Sequence, residues 1–182
     1  LLHLAVIAMQ ARDYTLTSPD SHVRVVVGTD NGIKWQIRYD QQQVLLPSPI
    51  GLDWKEKPAL DIGRVGKAAL TKHDDSFRNT FYKKEHVSDC YNQLLLYTNR
   101  HFTIELRAYN DGAAYRLHTT NKHMTVKREL TEFRLAADCP AFIPYVNDER
   151  AGERYSYSFE SYYDEQPLSQ MYPDSLAITP LA

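Results

Sequence analysis

Residues 102–117 read Phe-Thr-Ile-Glu-Leu-Arg-Ala-Tyr-Asn-Asp-Gly-Ala-Ala-Tyr-Arg-Leu, and this spacing restricts the fold more than any other stretch. Phe102, Ile104, Leu106 and Ala108 alternate with Thr103, Glu105, Arg107 and Tyr109, so an extended backbone turns one apolar and one polar side outward. Asn110, Asp111 and Gly112 tolerate positive φ, and Tyr115 and Leu117 resume the alternation on the return. The spacing predicts a β-hairpin.

The rest of the chain repeats this grammar of short strands and turns, which predicts an all-β fold. Val23, Val25 and Val27 lie in one apolar run, and Asp30, Asn31 and Gly32 make a turn. Trp35, Ile37 and Tyr39 then alternate with polar residues. A third strand at residues 44–46 is expected to end at Pro47 and Pro49, because proline cannot donate to a ladder. Residues 53–88 carry Lys, Asp and His without a sustained period and read as a long connection with some strand. Residues 91–97 form the next strand, and residues 126–135 another with Leu130 and Phe133 as core contacts. Five prolines from Pro140 to Pro180 predict a loop-rich end. No apolar set recurs at helical spacing over more than about two turns, and no fixed repeat is evident.

A length of 182 residues at 43% hydrophobic composition supports one substantial core, so one domain over residues 12–182 is expected. The formal net charge of −2 gives no electrostatic reason for a nucleic-acid partner or an anionic membrane surface. The apolar run in residues 1–11 is too short to span a bilayer. It reads as the remnant of a secretory signal peptide, which predicts a periplasmic or secreted protein; a disordered extension or an edge strand is the alternative. Cys90 and Cys139 suit either one bridge or two buried thiols, and neither has zinc-site spacing.

Seven scattered histidines, His3, His22, His73, His86, His101, His118 and His123, show no ligand spacing and read as surface or strand residues. No phosphate-binding glycine loop or Gly-x-Ser-x-Gly turn occurs, which removes the readings built on those motifs. Asp148, Glu149, Glu153, Glu160, Asp164 and Glu165 cluster near the end. Carboxylates at that density suit calcium or a solvated loop face, and the spacing of a helix-loop-helix calcium site is missing. No residues are assigned a catalytic role. Thirteen tyrosines suit plain strand composition first, and a sugar-stacking surface second.

Several blocks, in order, resemble the N-terminal domain of glycoside hydrolase family 97, the bacterial α-glucosidases and α-galactosidases. They are Leu16-Thr-Ser-Pro-Asp, Leu46-Pro-Ser-Pro-Ile-Gly-Leu, Asp89-Cys-Tyr-Asn-Gln-Leu, the hairpin from Arg107 to Tyr115, Glu129-Leu-Thr-Glu-Phe, Phe159-Glu-Ser-Tyr-Tyr and Leu176-Ala-Ile-Thr-Pro-Leu. Gln93 stands where the family usually has an acid. The resemblance implies a β-super-sandwich of two large antiparallel sheets, as in galactose mutarotases. It implies a non-catalytic domain, inactive alone, that precedes and packs on a catalytic (β/α)8 barrel acting on α-linked oligosaccharides. It also implies that a glutamate of this domain joins an active-site calcium. Glu160 best matches that position and Glu153 matches it less well. Two other classes stand beside this one: a free-standing carbohydrate-binding β-sandwich, and a mutarotase-like enzyme for which no histidine falls in a matching motif.

Overall fold

The computed structural model describes residues 13–54, 62–81, 83–146, 162–173 and 175–177. The chain divides into two compact units, residues 1–136 and residues 137–182.

The first unit holds two antiparallel sheets. One runs β1 (Tyr14–Thr17), β2 (Val23–Gly28), β3 (Ile33–Tyr39), β4 (Gln42–Trp54) and β9 (Val126–Thr131), in that spatial order. The other runs β5 (Val65–Arg78), β6 (His86–Thr98), β7 (Phe102–Tyr109) and β8 (Gly112–Thr119). Period-two alternation explains how they face each other. Val23, Val25 and Val27 of β2, Ile33 and Trp35 of β3, and Leu45 and Ile50 of β4 form one buried cluster with Leu94 and Leu96 of β6 and Phe102, Ile104, Leu106 and Ala108 of β7. Each aliphatic or aromatic side chain so buried contributes about 1.5–3 kcal/mol. Trp54 stacks on Phe102 at 4.7 Å and Trp35 meets Tyr115 edge-on at 5.1 Å, so both tryptophans join the sheets. Asn92 Nδ2 donates to the Thr17 carbonyl at 2.7 Å across the same interface. The expected all-β sandwich is therefore the fold.

The expected hairpin forms, with Tyr109 opposite Gly112. Its turn differs: among the described residues, the left-handed non-glycine positions are Ser21, Asp40 and His101, not Asn110 or Asp111. Asn110 instead accepts the Asp20 N–H through its side chain, at 3.2 Å.

Strand β4 does not end at the prolines. It runs through Pro47 and Pro49 to Trp54, with a register irregularity against β3 between Trp35 and Arg38. The buried Ser48 between them replaces lost ladder bonds, accepting the Arg134 N–H at 3.0 Å and donating to the Leu46 carbonyl at 2.8 Å. Residues 134–136 then follow β4, through Leu46 N–H to Arg134 O at 2.8 Å and Ala136 N–H to Val44 O at 3.0 Å.

The expected connection at residues 53–88 contains the 14-residue β5, paired along its length with β6. An outermost strand carries charge on both faces, which blunts it against pairing with other chains and erases the alternation that sequence reading relies on. Gly63, at φ +94°, turns the chain into β5 where a Cβ would lie 2.6 Å from Asn99 Oδ1. The same Asn99 oxygen accepts the Arg64 N–H at 2.9 Å. Phe133 is 62% exposed rather than a core contact, although its ring lies edge-on to Trp35; Leu130 is half-buried in β9.

The second unit adds order to the expected loop-rich end. Strands β10 (Pro140–Ile143) and β11 (Asp164–Pro167) pair with prolines facing each other at one end of the ladder. A single 3-10 turn, Leu168–Gln170, follows. Ala141, Ile143 and Tyr145 form a small core with Leu168, Met171 and Ala177. Asp138 accepts the Ser169 N–H and hydroxyl at 2.9 and 2.7 Å. Tyr145 Oη accepts from the Gln166 amide and the Tyr172 N–H. Cys90 and Cys139 are both free, half-buried thiols.

Candidate functional site

Because Phe102, Ile104, Leu106 and Ala108 point into the core, β7 turns Thr103, Glu105, Arg107 and Tyr109 to the opposite side of its sheet. The register then decides what meets Glu105. Arg116 of β8 lies directly opposite it, while His118 and Gln93 stand opposite its neighbours Thr103 and Arg107. All four groups reach the carboxylate. Gln93 Nε2 and Arg107 Nε donate to Oε1 at 2.8 and 2.7 Å. Arg116 Nη2 and His118 Nε2 approach Oε2 at 2.7 and 2.6 Å.

Glu105 is only 5% exposed. Burial alone would raise its pKa, but the hydrogen bonds from Arg116, His118 and Arg107 outweigh it and bring the carboxyl down to about 2. Arg107 is held protonated beyond its ordinary range by its bonds to Tyr109 and Glu105, against the effect of burial. Its guanidinium lies 4.4 Å from the centre of the Tyr91 ring, a cation–π contact. Tyr91 in turn stacks on His73 at 4.5 Å and tilts against Tyr109 at 5.0 Å. Thr71 donates to Gln93 Oε1 at 3.1 Å. One polar and aromatic network thus crosses all four strands.

Its chemistry is that of a fixed surface. Both oxygens of Glu105 are engaged by donors, so it stays ionised at neutral pH and neither exchanges a proton nor opens to a cation. The network holds one carboxylate, whereas glycoside hydrolysis generally uses two facing one another. Among the described residues no group of three or more His, Cys, Asp or Glu could hold a metal ion.

Glu160 and Glu153 lie outside the described residues, as do Asp148 and Glu149. Asp164 and Glu165 are exposed in β11. His118 proves to be a strand histidine with a carboxylate partner. Sequence reading passed over Glu105 as one polar position among several. The available signal was Glu105-x-Arg107 facing Arg116-x-His118 across a two-residue turn, which sets Glu105 opposite Arg116.

The family described as the N-terminal part of glycosyl-hydrolase 97 matches residues 16–182. The chain belongs to this family. The family 97 domain is 30% identical to a retaining alpha-galactosidase of Bacteroides thetaiotaomicron over 98% of its own length, but over only 28% of that protein. Solved structures share its fold. A family 97 enzyme in complex with panose, from Pseudoalteromonas sp. strain K8, superposes with a TM-score of 0.67 at 17% identity, covering 86% of this domain and 25% of that chain. A beta-arabinopyranosidase gives a TM-score of 0.71 at 21% identity over 84% of this domain and 26% of that chain. The family 97 domain therefore spans about a quarter of the proteins it matches.

Proposed function

We propose that this chain is the non-catalytic N-terminal domain of a calcium-dependent α-glycosidase, packed on a catalytic barrel and contributing Glu160 to the active-site calcium. The observation that carries the reading is the family match over residues 16–182, on a chain that covers only 28% of a retaining alpha-galactosidase. The Glu105 network agrees with a supporting role, because its one carboxylate is committed to four donors of its own sheet. Among the described residues no three or more His, Cys, Asp or Glu come together as a metal site. A hard dication takes six to eight oxygen ligands, so one glutamate from this domain completes a set supplied elsewhere. Bound calcium would supply a fixed positive charge that orients oxygen-bearing substrate groups. The substrate class is α-linked galactosides or glucosides, with galactosides first because of the named relative. The apolar start of the chain favours a periplasmic or secreted location.

The test is a calcium titration of the full-length enzyme and its Glu160→Gln variant. The amide keeps the shape and removes the charge, so the calcium concentration for half-maximal activity rises roughly tenfold or more. An unchanged titration would remove Glu160 from the site.

A further inference from the structure

Pairing of β6 with β7 stops at Asn92. Beyond it, Asp74 to Arg78 and His86 to Cys90 pair, among the described residues, only with each other, as five successive cross-strand pairs. At roughly 3.4 Å per residue they make a ribbon about 17 Å long. Among the described residues no third strand pairs with either side. A two-stranded ribbon alone in water is marginally stable, and open edges invite unwanted partners. This one is nevertheless built with care. At its tip Asn79 N–H donates to the Glu85 carbonyl at 2.7 Å, Phe81 N–H donates to Asn79 Oδ1 at 3.0 Å, and Arg78 pairs with Glu85 at 2.7 Å.

The composition of one ribbon face is the second observation. Phe77 lies opposite Val87, and Asp75 lies opposite Asp89. Directly opposed like charges destabilise a ladder, so this pair costs stability where there is little to spare. Phe77 is 50% exposed, and Phe81 at the tip is 94% exposed. An apolar pair beside two carboxylates calls for an apolar patch bordered by a basic side chain.

We propose that the β5–β6 ribbon is a docking arm for the polypeptide that follows residue 182, seating Phe77, Val87 and Phe81 on it and Asp75 and Asp89 against a cation. The inference rests on the reading of this chain as one domain of a longer enzyme. That reading supplies the occupant, since most of the named relative's length lies outside the aligned part. A second copy docked by the same face about a two-fold axis would gather four carboxylates, Asp75 and Asp89 of each copy, into one interface, which is repulsive.

The experiment uses the full-length protein with the photoreactive p-benzoylphenylalanine in place of Phe81, followed by irradiation and peptide mass spectrometry. The exposed ring at this position leaves the fold undisturbed. The expected product has the mass of a single chain and joins the tip to a peptide beyond residue 182. A product of twice that mass, a link confined to residues 1–182, or no link at all would overturn the docking arm. Calcium-dependent hydrolysis of an α-galactoside, assayed on the same sample, reports separately on the functional reading. An active enzyme lacking the link sinks the arm alone; a linked but inactive protein supports the arm and counts against the function.

Discussion

Glu105 owes its behaviour to the four donors around it rather than to its burial. Removing its charge leaves Arg107 and Arg116 facing a neutral amide, and Glu105→Gln is expected to destabilise residues 1–182 by about 2 kcal/mol in denaturant titration at neutral pH. The pH dependence has a definite sign. The carboxyl falls from 4.5 to about 2 in the folded chain, so its stabilisation is complete above pH 4.5 and is lost as pH falls toward 2. Comparing the two proteins across that window, the gap between their stabilities narrows with acidification. A gap independent of pH would show that the ion pairs are not the cause. Tyr115 offers a quieter example of the same logic. Its hydroxyl donates to Glu129 Oε1 at 2.7 Å, and burial pushes the phenol up to about 12, so it stays neutral while tying β8 to the neighbouring sheet.

Strand β4 shows how a side chain can take over from the backbone. Ser48→Ala removes an acceptor for Arg134 N–H and a donor to Leu46 at a buried position, a loss of about 1–2 kcal/mol. Hydrogen exchange at the Arg134 and Ala136 amides is the direct readout: both exchange faster in the variant, and unchanged rates would mean that residues 134–136 are held by other contacts. The same strand marks where sequence reading stops working. Alternation made β2, β3 and β7 legible, because each has one face in the core and one outside it. Pro47 and Pro49 read as a strand end because the substitute bonds come from a partner more than 80 residues away. Edge strand β5 left no alternating record, since it has no buried face to mark. The Glu105 network was legible only in part: its members share a hairpin that the sequence announces, but Gln93 and Tyr91 join through β6, whose register no local pattern specifies.

Taken as a whole, the molecule separates framework from chemistry. Its buried carboxylate, Glu105, is committed to donors of its own sheet, and its family identity ties it to proteins about four times its length. Such a division suits a domain whose contribution is delivered at a boundary, where one carboxylate completes a site assembled mostly by another part of the chain. The decisive measurement is a crystal structure of the full-length enzyme with calcium bound. The account predicts an oxygen of Glu160 within about 2.3–2.6 Å of the ion, the distance at which carboxylates ligate calcium. A calcium site complete without that residue, with Glu160 turned to solvent, would contradict it.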